Sequence, residues 1–96
     1  MHFVFYCKDK PGSEQIRIAN RSAHLDYLEA HRDRLLCAGP LLADGSDSIR
    51  MIGSLLILEL ADQAAAETFA AGDPYARAGL FESVSIHPWR KVFPKS

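Results

Sequence analysis

The chain has 96 residues, 11 basic and 12 acidic, for a formal net charge of −1, and 48% of it is hydrophobic. That balance suits one globular domain, residues 1–96, near the lower end of the self-sufficient range. It excludes the strong positive field that holds a nucleic-acid backbone or an anionic membrane, and no run approaches the ~20 apolar residues of a bilayer span.

Residues 2–8, His-Phe-Val-Phe-Tyr-Cys-Lys, predict a strand, rich in aromatic and β-branched side chains and ended by Asp9, Lys10, Pro11 and Gly12. No basic region precedes this apolar run and no small-residue cleavage site follows it, so a soluble, cytoplasmic protein is expected. A helix is predicted over about 13–34, with Ser13 as its N-cap and Ile18, Leu25 and Leu28 recurring at helical spacing.

Residues 35–42 predict a second strand. Pro40 cannot donate to a sheet ladder, so this strand lies at an edge or bends there. Residues 43–48 form a turn carrying Asp44, Gly45 and Asp47, and 51–60 a strongly apolar third strand. Asp62 can cap a second helix over 63–71 that Gly72 ends. Asp73 can then cap a short turn from Pro74 to Ala78, stopped by Gly79. The last strand, 81–92, is interrupted near Pro88, and Trp89 and Phe93 are expected in the core or an interface.

The order βαββαβ predicts an α+β, ferredoxin-like fold: a four-stranded antiparallel sheet with helices on one face. The strands do not alternate apolar and polar residues. Phe3 to Cys7 and Leu55 to Leu58 are apolar without a break, so both faces of the sheet need cover. A second copy, sheet against sheet, would supply it, and a homodimer is expected. The competing expectation is that the C-terminal strand and tail fold over that face.

Chemistry-bearing residues are few. The four histidines show no metal-ligand spacing and the two cysteines, Cys7 and Cys37, make no zinc set; they read as reduced, buried hydrophobes. No phosphate loop or dinucleotide fingerprint is present, so no cofactor is expected. On the helix, Arg17, Arg21 and His24 fall at i, i+4 and i+7 and share a stripe that passes into Leu28. That stripe suits either a pocket for an anionic or enolate-forming molecule or a surface helix with ordinary charges. Asp73 before Pro74 is a helix-cap signal that also holds a carboxylate rigid. If the two meet, His24 is the base and Asp73 its partner, with general-base catalysis worth on the order of 10²–10⁴-fold. Arg17, Arg21, Gly39, Pro40, Ser54 and Tyr75 are candidate substrate-binding residues. The elbow that exposes a serine nucleophile is missing around Ser54.

The Arg17…Arg21…His24-Leu25 series, Leu35 to Pro40, Gly53-Ser54, Asp73-Pro74-Tyr75…Ala78-Gly79 and Val84…Ile86…Pro88…Lys91-Val92-Phe93 run in order and nearly end to end. In these the chain resembles the YciI-like, or YCII-related, proteins. The resemblance implies a dimeric ferredoxin-like α/β barrel with a His–Asp site in a cleft, here His24 and Asp73. One branch of that family is similar to dehydrochlorinases acting on chlorinated hydroxyquinol-type aromatics. The turn between the second and third strands is shorter here than in the typical member, and Trp89 stands where many carry phenylalanine. The function expected is a small cofactor-independent enzyme of lyase or isomerase type. The alternative is a non-catalytic metabolite-binding or accessory module of the same fold.

Overall fold

The computed structural model describes residues 1–45 and 49–95; the turn residues Asp47 and Ser48 lie outside them. The elements are β1 (His2–Asp9), α1 (Glu14–Ala30), β2 (Leu35–Leu42), β3 (Met51–Glu59), α2 (Gln63–Gly72), α3 (Pro74–Arg77) and β4 (Phe81–Trp89), with a short 3-10 turn at Arg32–Arg34. The strands form one antiparallel sheet in the order β2-β3-β1-β4, the ferredoxin-like α+β arrangement.

Register decides which side chains meet the helices. Phe5 pairs with Leu56 and Phe3 with Leu58 across the two central strands, so all four point to one face. With Cys7, Leu28, Ala66 and Phe69 they form the core under α1 and α2. Val4, Tyr6, Leu55 and Ile57 point the other way, away from the helices. Gly53 is required by close approach: a Cβ there would run into the carbonyl oxygen of Cys7 on the neighbouring strand.

Both edge strands carry a proline, Pro40 in β2 and Pro88 in β4, where a missing donor is tolerated. Pro88 does not interrupt its strand; it sits opposite Phe3, and the register slips at Lys8/Asp9 instead. The strand stops at Trp89, beyond which Val92 and Phe93 are 72% and 85% exposed. Phe93 is therefore not a core residue, and Trp89 packs edge-on against His2 at the sheet's corner.

The helices correct the sequence reading in three places. Ser13 occupies the position before α1, but its side chain makes no cap; its carbonyl accepts from Ile16 and Arg17 instead. The predicted helix over 13–34 ends at Ala30, because the ladder tightens to His31 N–H donating to the Leu28 carbonyl and continues as the 3-10 turn. Ile18 and Leu25 are exposed; the buried stripe of α1 is Arg17, His24 and Leu28. Its inward face serves a polar site as much as the core. The second helix behaves as its cap predicts, Asp62 Oδ1 accepting from Ala65 N–H at 2.8 Å.

Candidate active site

α1 lies over the sheet with Arg17 near its start, and the β1–α1 loop returns the chain so that Asp9 faces that arginine. Arg17 Nε donates to Asp9 Oδ2 at 2.8 Å and Nη2 to Asp9 Oδ1 at 2.9 Å, a buried bidentate pair. Nη2 also donates to Ser54 Oγ on β3 at 3.0 Å. Burial alone would lower the arginine's pKa. The hydrogen bonds and charge of Asp9 outweigh that effect and hold it above its usual value.

Two turns along α1, His24 Nδ1 lies 2.8 Å from Asp73 Oδ1, with both side chains buried. The same oxygen accepts the Tyr75 N–H at 2.9 Å, so Asp73 caps α3 and faces the imidazole with one atom. An ionised carboxylate only accepts, so Nδ1 is then the protonated nitrogen and Nε2 carries the lone pair. Nε2 has no hydrogen-bond partner among the described residues, yet no buried side-chain nitrogen or oxygen there is left unpartnered. It is therefore open, and the space His24 borders is a cavity of about 150 Å³.

The Tyr75 ring lies flat against the imidazole, 4.0 Å between centroids and 14° between planes. The Arg17 guanidinium sits 4.7 Å from the same ring. Burial pushes the Tyr75 hydroxyl above its usual pKa against the opposing pull of Arg17 and Arg21, and the charge of Asp73 adds to the rise. The phenol therefore stays neutral and protonated. Cys7, beneath the site, is pushed up to about 12, first by burial and then by Asp73 and Asp9. It is an inert thiol. Cys37, expected buried, is exposed on β2.

The cavity wall collects Arg17, Arg21, His24, Ser54 and Tyr75, with Gly39 and Pro40 from the β2 edge and Leu25, Leu28 and Leu56 as apolar floor. Thus seven of the eight candidate residues share one hollow, and the eighth, Asp73, stands behind His24 (hydrogen-bonded to it). Their separate contributions differ. The charge of Arg17 is answered by Asp9, whereas Arg21 is exposed and has no ion-pair partner among the described residues. Ser54 Oγ is engaged by Arg17 and makes no hydrogen bond to His24, so no serine–histidine nucleophile pair forms. Gly39 has open space where a Cβ would stand, so it brings backbone to the wall without being required by packing. Asp9 was missed as a site residue because, at the end of a strand, it reads only as a turn former. Among the described residues no cluster of three metal-ligating side chains exists.

Comparison with known proteins bears on this arrangement. Residues 1–90 match the YCII-related domain. Protein YciI of Escherichia coli is 42% identical over 98 residues, spanning 97% of this chain and all of the relative. The structure of a 5-chloro-2-hydroxyhydroquinone dehydrochlorinase, TftG from Burkholderia phenoliruptrix, complexed with 2,5-dihydroxybenzoquinone, is 40% identical. It superposes with a TM-score of 0.86 over 94% of both chains. An antibiotic biosynthesis monooxygenase, 16% identical with a TM-score of 0.53 over 95% of this chain and 97% of its own, shares the fold alone.

Proposed function

The chain belongs to the YCII-related domain family, and from that premise we propose that it is a small acid–base enzyme of lyase or isomerase type. It acts without a cofactor on a small anionic or phenolic molecule. The observation that carries the reading is the 2.8 Å His24–Asp73 hydrogen bond, made between α1 and the α2–α3 corner, with Nε2 left open beside a cavity. In this mechanism Nε2 takes a proton from the substrate. Asp73 holds the imidazole in its tautomer and balances the charge that forms on it. Tyr75 fixes the ring plane. Arg21 faces the substrate's negative oxygen, and the Arg17–Asp9–Ser54 set holds the wall in place.

The 40% identity to a dehydrochlorinase supports an elimination as the reaction. One hydroxyl proton first moves to the chlorine-bearing ring carbon, giving a keto tautomer with a tetrahedral C–Cl centre. Nε2 then takes the proton of a second hydroxyl, that oxygen's electron pair moves into the ring, and chloride departs with its bonding pair. The net loss is HCl. The test is chloride release from 5-chloro-2-hydroxyhydroquinone. Asp73→Asn and His24→Ala should each lower turnover on the order of 10²–10⁴-fold while keeping the wild-type circular dichroism. Two folded variants with full turnover would sink the reading. A wild-type protein that binds the compound and never releases chloride points to a metabolite-binding module instead.

The same proposal extends to assembly and setting. Val4, Tyr6, Leu55 and Ile57 lie on the sheet face that the helices leave uncovered, and Val92 and Phe93 are exposed in a tail that does not pack away its own apolar side chains. A second copy packed against that face completes a dimeric barrel and buries it. The reducing cytoplasm suits two free thiols.

A further inference from the structure

Asp73 begins where α2 ends, so its distance from His24 depends on how α2 seats against α1. Its own backbone bonds are local and do not reach α1: its N–H donates to the Ala70 carbonyl at 3.3 Å and its carbonyl accepts from the Arg77 N–H at 3.0 Å. The firmer tie lies one turn along α1 from His24. Tyr27 Oη donates to the Phe69 carbonyl at 2.8 Å, and its ring stacks on Phe69 at 5.1 Å. Gly72 is shaped around the same hydroxyl. A Cβ built there would stand 2.5 Å from Tyr27 Oη and 3.3 Å from Cζ. Gly72 has no positive φ, so the missing side chain and not backbone freedom is what the position requires. His31 backs the tyrosine, its ring 4.6 Å from that of Tyr27 and its Nδ1 2.8 Å from the Tyr27 carbonyl.

Two cross-links therefore run between the same helices. His24 meets Asp73, and Tyr27 meets the Phe69–Gly72 turn that delivers Asp73. We propose that Tyr27, seated in the notch left by Gly72, is a positioning residue: it sets the height of Asp73 along α1 and thereby holds the His24–Asp73 hydrogen bond. The inference rests on the acid–base reading for its catalytic meaning. Burial first, and the charge of Asp73 second, push the Tyr27 hydroxyl above its usual pKa, so it remains a donor throughout the working range.

The experiment uses proton and nitrogen NMR of the free protein, which needs no substrate, and follows exchange of the His24 Nδ1 proton with water. Tyr27→Phe removes one neutral hydrogen bond and should speed that exchange about fivefold. Gly72→Ala drives a methyl group into the hydroxyl and should broaden the signal away. Adding Tyr27→Phe to Gly72→Ala removes the atom that clashes, so the double variant should recover the signal toward the Tyr27→Phe value. If Gly72→Ala fails to fold, the single phenylalanine variant and the double variant decide alone. Wild-type exchange in Tyr27→Phe overturns the proposal, as does a double variant no better than Gly72→Ala. A wild-type protein with no protected Nδ1 proton overturns it together with the dyad. The expected NMR pattern alongside full turnover by Asp73→Asn leaves the latch standing and removes only the catalytic reading.

Discussion

Arg17 and Arg21 show how two identical side chains, one turn apart, come to different work. Asp9 claims the first with two hydrogen bonds, and removing it would strand a buried carboxylate. The second borders the cavity and forms no ion pair among the described residues. Arg21→Ala should therefore raise KM for an anionic substrate roughly tenfold to a hundredfold, the range of a charged hydrogen bond, and leave kcat nearly unchanged. Initial-rate kinetics check this, and an unchanged KM would remove Arg21 from recognition. A second expectation concerns alkali. Cys7, Tyr27 and Tyr75 are neutral when protonated, and burial raises all three above their ordinary values of 9.0, 10.0 and 10.0. Between the ordinary and the raised value the unfolded chain has released a proton that the folded chain keeps. Their contribution is thus fully present below about pH 9 and drains away as pH rises through the raised values, that of Cys7 being about 12. A thermal melt series should show a level Tm up to about pH 8.5 and a fall above it, lessened early in the fall by Cys7→Ala. The i, i+4, i+7 spacing made the arginine–histidine stripe legible in the sequence. The division of labour was not, because it depends on Asp9, eight residues away and on another element.

Elements bring distant residues together here through caps and close approaches. Asp73 was legible as a cap from the Asp-Pro pair, and α3 starts on it as that chemistry dictates. Its pairing with His24 spans 49 positions, and no local pattern encodes such a distance. The inward face of α1 was misjudged for a related reason. Ile18 and Leu25 carry a helical period, yet they face outward, since the inward stripe is taken by the site. Gly72 reads as a helix stop in the sequence, and its role is to clear room for Tyr27. Gly53 offers a test at this level. Because its neighbour is backbone, a methyl group there has nowhere to go, and Gly53→Ala should lower stability by about 1–3 kcal/mol by forcing β1 and β3 apart. Urea unfolding measures it, with Gly39→Ala, which meets open space, as the silent comparison.

For the whole molecule, element order alone predicted the ferredoxin-like sheet, and unbroken apolar runs predicted a face without cover. Val4, Tyr6, Leu55 and Ile57 supply that face, although Ile57 is already largely shielded by its neighbours within one chain. Analytical ultracentrifugation should give twice the chain mass of 10.6 kDa. Tyr6→Glu and Leu55→Asp should halve it without loss of secondary structure, while a wild-type monomer would return the face to solvent. The prolines at positions 40 and 88 bear on crowding in the cell. Each removes one amide donor from an outer strand of the sheet, which makes both borders poorer templates for a newcomer's strand. Lateral accretion into fibrils is thereby disfavoured at both margins of a sheet rich in greasy strand.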